Sequence, residues 1–193
     1  MRVLRIIAAL ACSFVAVAPS VQAQTPPGNP VPEGFRLSPL ARASVFVRDV
    51  DESLKLYRDI LGLRVRIERD FPDERFNAIL GTSGATTKVR ILQSGNVVYG
   101  NVGLFQLVGG DTPHAPAASA STRVNPGDVA LVFNTNDIAA IAAAVKAAGY
   151  PIIAMPMVLF PREDLEVQPL EMLFRDRDGT LVNLIQHGRR KGE

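Results

Sequence analysis

The chain has 193 residues, of which 47% are hydrophobic and 21% charged, with a formal net charge of +2 and one cysteine. This composition predicts one sizeable folded core or two small packed modules, and it excludes a disordered or fibrous protein. The net charge comes from two arginines among the first 23 residues, so the rest of the chain is neutral and charge gives no reason to expect a nucleic-acid partner.

The first residues have the order of a secretory signal peptide. Two arginines precede an apolar run, residues 6–18, and small residues follow at the end of VQA. The apolar run is shorter than the roughly 20 residues that span a bilayer. We therefore expect cleavage after Ala23, a periplasmic or secreted protein, and no stable membrane insertion once the signal, residues 1–23, is gone. Cleavage also removes Cys12, so no disulfide or thiolate ligand is expected.

The next elements form a βαβββ series. Residues 24–40 are rich in proline and predict an extended leader. Alternation then predicts a strand within residues 41–50, with Arg42, Ser44, Phe46 and Arg48 on the face opposite Ala43, Val45 and Val47. Asp49 offers a helix N-cap, apolar residues follow at helical spacing, and Gly62 ends the helix. Three further strands are predicted over residues 63–69, 87–94 and 102–108.

The second half of the chain repeats this order. Residues 128–134 predict a strand, Asn136 a helix cap and Gly149 the end of an Ala-rich helix, before three strands over residues 151–157, 169–176 and 180–186. Thirteen positions separate cap and stop in both halves, which indicates a tandem duplication. The predicted organisation is a first module at 41–110, a linker at 111–127, a second module at 128–187 and a basic tail at 188–193.

Two stretches of the chain carry a family resemblance. SVFVRDVDESLKLYRDILGLRV (residues 44–65) and FRDRDGTLVNLIQ (residues 174–186) closely resemble the vicinal oxygen chelate superfamily, which includes glyoxalases, extradiol dioxygenases, fosfomycin-modifying enzymes and bleomycin-binding proteins. The resemblance covers residues 41–187. It implies an α+β fold in which two tandem βαβββ modules form a cup-shaped mixed sheet that holds a divalent metal or an organic ligand. It does not specify a reaction.

The resemblance also gives positions to test for a metal. In metal-dependent members the ligands come from the first and last strands of each module, and the corresponding positions here are Arg42, Gln106, Ala130 and Asn183. A guanidinium has no lone pair to give, and an alanine has no donor atom. Two amides alone hold a divalent ion weakly. We therefore expect no metal and no other cofactor, with His114 and His187 in the linker and at the end of the last strand rather than in a site.

The same positions suggest an organic ligand instead. If Arg42, Gln106 and Asn183 all point into the cup, they place a cation between two amides, which suits a carboxylate, phosphonate or carbonyl oxygen. Ser44, Phe46 and Asn134 would complete this ligand-binding pocket. The alternative is that these polar side chains satisfy one another and ordered water. No catalytic residue is identified from the sequence.

Two long connections are expected to border the cup. Residues 69–87 predict either a lid that contacts the ligand or a surface turn of helix covering one end of the sheet. Residues 159–168 resemble the arm that borders the cup in this fold.

Three functions remain open from the sequence. The first is an exported protein that binds a small organic molecule. The second is an enzyme of the glyoxalase or extradiol-dioxygenase type, which needs either a metal site in other residues or a metal-free mechanism in which Arg42 polarises a carbonyl. The third is a non-catalytic interaction module. A homodimer is compatible with each of them.

Overall fold

Each half of the chain forms its own four-stranded mixed sheet in the computed structural model, which describes residues 31–112 and 121–192. The predicted signal peptide, the start of the leader and His114 lie outside the described residues. Two tandem βαβββ modules confirm the predicted α+β class.

The first sheet has the strand order β1-β4-β3-β2, in which β1 and β4 are parallel and the other neighbours antiparallel. Its strands are β1 (Arg42–Phe46), β2 (Arg64–Phe71), β3 (Thr86–Gln93) and β4 (Asn101–Val108). Helix α1 (Val50–Leu54) continues as a π-helical turn (Lys55–Ile60), and α2 (Glu74–Leu80) connects β2 to β3.

The second sheet repeats the order as β5-β9-β8-β6. Its elements are β5 (Ala130–Asn134), α3 (Ile138–Ala147), β6 (Ile152–Met157), β8 (Leu170–Arg175) and β9 (Leu181–Gln186). Two short strands that the sequence did not indicate, β7 (Leu165–Val167) in the arm and β10 (Arg189–Arg190) in the basic tail, pair with each other.

One hydrophobic core joins the two modules. It contains buried side chains from both sheets, from α1 with its π-helical turn and from α3, including Val45, Leu56, Leu104, Leu131, Val145 and Phe174. Burying a side chain of this size contributes about 1.5–3 kcal/mol. The helices therefore cover the apolar face of each sheet. The opposite face of each sheet carries every second residue of its strands, those that point away from the helices.

The distance from cap to stop differs by one residue between the two helices, whereas the sequence predicted equal distances. Asp49 caps α1 as predicted, since its Oδ1 accepts hydrogen bonds from the backbone N–H groups of the next turn. The cap of α3 is Asp137 rather than Asn136: its Oδ1 accepts from the backbone N–H of Ala140 at 3.1 Å. The first helix thus has one more residue between cap and stop than the second. Its π-helical turn absorbs the extra residue by bonding five residues back along the chain.

The FRDRDG turn ties the modules together. Tyr57 on the π-helical turn donates its hydroxyl hydrogen to Asp176 Oδ2 at 2.8 Å, and both side chains are buried. The other carboxylate oxygen of Asp176 accepts from the backbone N–H groups of Asp178 and Thr180 at 2.9 and 2.7 Å. Asp178 Oδ1 in turn accepts from Arg48 Nε at 2.8 Å. Burial raises the pKa of Asp176 and, together with the Asp176 charge, the pKa of Tyr57.

Across residues 31–112 and 121–192, no helix is both long and apolar enough to cross a membrane.

Candidate functional site

The face of the first sheet opposite α1, called here the open face, carries the predicted residues of β1. Arg42, Ser44 and Phe46 are all exposed there. The strand register places Ser44 beside Gly103 of β4, and Phe46 beside Phe105. Because cross-strand partners share a face of the sheet, these five residues form one surface.

The Arg42 side chain lies over the Phe105 ring. Its Cζ is 5.0 Å from the centroid of the Phe105 ring, and its Nε donates to Ser44 Oγ at 3.1 Å. Among the residues that the structure describes, Arg42 pairs with no carboxylate, and its two terminal nitrogens donate to no protein acceptor. Contact with the ring stabilises an exposed guanidinium by about 0.5–1 kcal/mol. The side chain is therefore held in place with its outer edge open to an anion.

Gly103 leaves the space that Arg42 occupies. A Cβ atom at this position would lie 2.7 Å from Arg42 Cδ, 2.7 Å from Phe105 Cε2 and 3.1 Å from Ile91 Cδ1. Its φ is not in the left-handed region, so the backbone itself would accept another residue. Close packing, rather than a turn, requires the glycine here.

Helix α2 covers one end of the open face. Val89, Ile91 and Phe105 form a second apolar cluster, and Phe71 and Phe76 pack against it. The last two rings stack with centroids 4.8 Å apart. Residues 74–80 therefore form the surface helix that was one of the two structures expected for residues 69–87, and contact of this segment with a ligand stays a prediction. The helix also borders the cluster that supports Phe105.

Two buried oxygens on the open face have no hydrogen-bond partner within the described part of the chain: Thr87 Oγ1 and Asn101 Oδ1. Strand register puts Asn101 beside Arg42, while Thr87 lies near α2. Buried polar atoms are nearly always satisfied by protein or water. An internal water is the usual partner of such an atom.

The structure does not bring Gln106 to this face. Neighbouring residues of a strand point to opposite sides, and Gln106 Oε1 accepts from the backbone N–H of Val50 at 3.1 Å, at the start of α1. Gln186 does the same in the second module, where its Oε1 accepts from the N–H of Ile138 at 3.0 Å. The expected trio of Arg42, Gln106 and Asn183 is therefore not assembled, because Gln106 serves as a helix cap.

The same register corrects the metal-ligand positions. Gly103 pairs with Ser44, the third residue of β1, and Asn183 pairs with Val132, the third residue of β5. Asn183 is thus equivalent to Gly103 rather than to Gln106. The equivalence of Gly103 and Asn183 can also be found in the sequence, by aligning VGLFQ at residues 102–106 with VNLIQ at residues 182–186.

The donor set does not fit a divalent metal. The four equivalent positions hold Arg42, Gly103, Ala130 and Asn183, and only the last has a neutral oxygen donor. Asn183 Nδ2 donates to the backbone oxygen of Met172 at 3.1 Å. In the described ranges, no three His, Cys, Asp or Glu side chains group together in a way that could hold a metal ion. The absence of a bound metal itself stays a prediction, which metal analysis can test.

The remaining predicted residues lie on the second sheet. Asn134 is exposed at the end of β5, and Asn183 is half-buried in β9. Within the described residues, no hydrogen bond joins either side chain to Arg42. His187 is exposed just after β9. Arg42, Ser44 and Phe46 thus form a contiguous group, and the role of Asn134 and Asn183 in binding stays a prediction.

Sequence reasoning missed Arg175, which is fully buried at one end of the second sheet. Its guanidinium donates to the backbone oxygens of Ser121, Arg123 and Gly179 and to Asp128 Oδ2, at 2.6 to 3.1 Å. These hydrogen bonds attach the end of the linker to the sheet. The bond from Arg175 also lowers the pKa of Asp128. This group is structural rather than part of an open site.

Comparisons with known proteins agree with the fold. The model of the Glyoxalase/Bleomycin resistance protein/Dioxygenase superfamily matches residues 39–184. A glyoxalase family protein from Bacillus cereus is 13% identical with a TM-score of 0.64, and the match covers 81% of this chain and 98% of that one. A V278E mutant of glyoxalase I from Zea mays is 20% identical with a TM-score of 0.54, but the match covers 76% of this chain and only 44% of the maize chain.

A search of curated proteins gave no significant match. Structural similarity at these identities shows the fold alone. The family match extends over both modules and confirms the resemblance in the sequence. The chain therefore belongs to the Glyoxalase/Bleomycin resistance protein/Dioxygenase superfamily.

Proposed function

We propose that this chain is an exported protein that binds a small organic anion on the open face of its first sheet without a metal. The observation that carries the proposal is the position of Arg42. Its guanidinium lies against Phe105 at 5.0 Å, is oriented by Ser44, and has two terminal nitrogens that donate to no acceptor in the described part of the chain. Such an edge matches the two oxygens of a carboxylate.

The surroundings favour a ligand over simple hydration of a surface arginine. A surface arginine is usually mobile, whereas this side chain is supported by a ring and by a hydroxyl, and Gly103 leaves room for its stem. A molecule that carries a carboxylate therefore suits this surface.

The alternative of a glyoxalase-type or dioxygenase-like metal enzyme needs a donor set that the family positions do not supply. Of the four ligand positions, Arg42 and Gly103 occupy the two in the first module, and Ala130 occupies one of the two in the second. No reaction step is therefore assigned to this chain. Elemental analysis of protein purified without chelators decides the matter, because about one equivalent of bound metal would favour the enzyme.

Export is the second part of the proposal, and it rests on the residue order of the first 23 positions. Expression of the full chain in a bacterial host, followed by cell fractionation and N-terminal sequencing, tests it. We expect a periplasmic product that begins at Gln24. A cytoplasmic product that retains its N-terminus would contradict export and leave the binding proposal untouched.

Binding is tested by titrating the protein with small carboxylates in the presence of a chelator. Charge-assisted hydrogen bonds contribute about 1.5–3 kcal/mol, so we expect Arg42→Gln to weaken binding by about 10- to 150-fold. Arg64→Gln is the matched control, because Arg64 is exposed on β2, at the opposite edge of the sheet. If no small acid binds the wild-type protein, or if both variants bind equally well, Arg42 does not form an anion site.

The third function left open by the sequence, an interaction module, has a separate test. Val132 and Met157 are apolar side chains exposed on the second sheet, where a partner chain could cover them. Size-exclusion chromatography over a range of concentrations shows whether a homodimer forms. A concentration-dependent dimer that binds no small molecule would favour the interaction module over the binding protein.

A further inference from the structure

We infer that Phe46 makes this site selective for aromatic carboxylates, with the ligand ring on Phe46 and its carboxylate on Arg42. The inference rests on the proposed function and specifies its ligand class. Phe46, the last residue of β1, is a large apolar residue that is 54% exposed and lies on the same face as Arg42. An exposed ring beside a fixed cation presents two kinds of contact on one surface.

The contacts of Phe46 leave part of its ring available. Its centroid is 5.5 Å from that of Phe105, and the two ring planes are tilted by 38°. Phe105 is buried and supported from below by Val89 and Ile91. Phe46 therefore has a fixed neighbour on one side and solvent on the other. A planar ligand ring placed on the exposed side would extend the aromatic pair to three rings.

The acid and the ring of the ligand must be close together. Positions 42 and 46 are four residues apart in β1, a separation of about 13 Å between Cα atoms. Both side chains nevertheless contact the same Phe105 ring, because Arg42 extends along the strand over Ser44 and Gly103. The cation and the exposed ring are therefore neighbours. A carboxylate joined to an aromatic ring by a short chain reaches both groups.

The charge of the site favours a carboxylate over a phosphate. Arg42 is the one cation of β1 and β4 on this face, and the Arg69 guanidinium of β2 lies across β3, against the Phe71 ring at 4.9 Å. A doubly charged phosphate usually takes more donors than one arginine offers, whereas a planar carboxylate matches the arginine edge. The ring contact then decides between acids of similar size.

The test uses three probes that differ in one property each: 3-phenylpropionate, 3-cyclohexylpropionate and 3-phenylpropionamide. Binding is measured by calorimetry or by ligand-observed NMR on the wild-type protein, on Phe46→Leu and on Arg42→Gln. Phe160→Leu is the matched control, since Phe160 is 76% exposed on the arm after β6. Aromatic contacts beyond simple area burial predict about a two- to ten-fold preference of the wild-type protein for the phenyl acid over the cyclohexyl acid.

The variants separate the two contacts. We expect Phe46→Leu to lose the preference for the phenyl ring and to keep the preference for the acid over the amide. Arg42→Gln should lose the second preference, and Phe160→Leu should lose neither. Equal binding of the phenyl and cyclohexyl acids, or a ring preference that survives in Phe46→Leu, would overturn the inference while Arg42-dependent binding upheld the proposed function. If no acid binds at all, the proposed function fails together with the inference.

Discussion

Arg175 offers the sharpest test of how the linker is attached to the second module. The side chain has no exposed surface, and four of its five N–H donors are used by three backbone oxygens and one carboxylate. The change Arg175→Met keeps the length and much of the volume of the side chain. It removes the charge and every donor, so Ser121, Arg123, Gly179 and Asp128 lose a common partner.

The expected loss of stability in Arg175→Met depends on the groups that lose their hydrogen-bond partner. Removing one partner of a buried ion pair costs about 3–5 kcal/mol. Asp128 is partly open to solvent, with 21% of its side chain exposed, and can be rehydrated when the arginine is lost. The backbone oxygens of the linker can also recover water where the segment is exposed. We therefore expect the lower end of that range, about 3 kcal/mol. Arg175→Lys, which keeps the charge but offers fewer donors, should fall between the wild type and Arg175→Met.

Urea unfolding followed by circular dichroism measures these differences at pH 7. Arg162→Met is the control, since Arg162 is 54% exposed and forms a surface pair with Asp164. Surface pairs contribute about 0–1 kcal/mol, so the control should change the free energy of unfolding little. A loss below about 1 kcal/mol in Arg175→Met, equal to the surface control, would refute the assigned role. If Arg175→Met does not fold, the same comparison is made with Arg175→Lys.

The pH dependence of this difference gives a second check. Because Arg175 lowers the pKa of Asp128 in the folded state, the pair contributes its full stability above the unfolded value of about 3.9. That contribution is lost as the pH falls through the lower folded value. The stability difference between the wild type and Arg175→Met should therefore shrink on acidification. A difference that stays constant down to pH 2 would show that the carboxylate contributes nothing.

Three further changes test other parts of the structure. Gly103→Ala should cost about 1–3 kcal/mol in thermal unfolding through overpacking and should also weaken acid binding, whereas a neutral effect would mean that the space is not filled as described. Tyr57→Phe removes the hydrogen bond to buried Asp176 and should lower the free energy of unfolding by about 1–2 kcal/mol. Because burial raises the pKa of Asp176, the stability of the wild-type protein should fall as the pH rises from about 4 through that raised pKa. Urea unfolding at a series of pH values tests this. Asp137→Ala should destabilise by about 1 kcal/mol and Asn136→Ala by much less, and the reverse order would restore the cap expected from the sequence.

The fold could be predicted because its local signals agree with one another. Alternation in β1, the Asp49 cap and the Gly62 stop each describe the same strand-helix passage, and the second half repeats it. The cap of α3 was predicted one residue early, because Asn136 and Asp137 are both good capping residues and only the hydrogen bond to Ala140 distinguishes them. The π-helical turn was not predicted, since no sequence pattern separates it from an ordinary helix.

The site was predicted in part for similar reasons. Alternation places Arg42, Ser44 and Phe46 on one face without any tertiary information. Gln106 was assigned to the wrong face, because the register between β1 and β4 depends on pairing across the sheet and a shift of one residue exchanges the two faces. The burial of Arg175 depends on where the linker crosses the second sheet, and the sequence gives no local signal for that contact.

The differences between the two modules argue that the proposed anion site belongs to the first module alone. By register, the first-module residues Arg42, Ser44, Phe46 and Gly103 correspond to Ala130, Val132, Asn134 and Asn183 in the second. The cap contacts are kept in both modules, because Gln106 and Gln186 each bond the first turn of a helix. A duplication that keeps its helix caps but changes its open faces has preserved what folds each module and altered what each face can bind. The arginine and the glycine fit each other, since a side chain at Gly103 would collide with the stem of Arg42. Relatives that bind a metal would place two ligands at these positions of the first module. This chain instead has the Arg42 guanidinium at one position and, at Gly103, the space that the Arg42 side chain occupies.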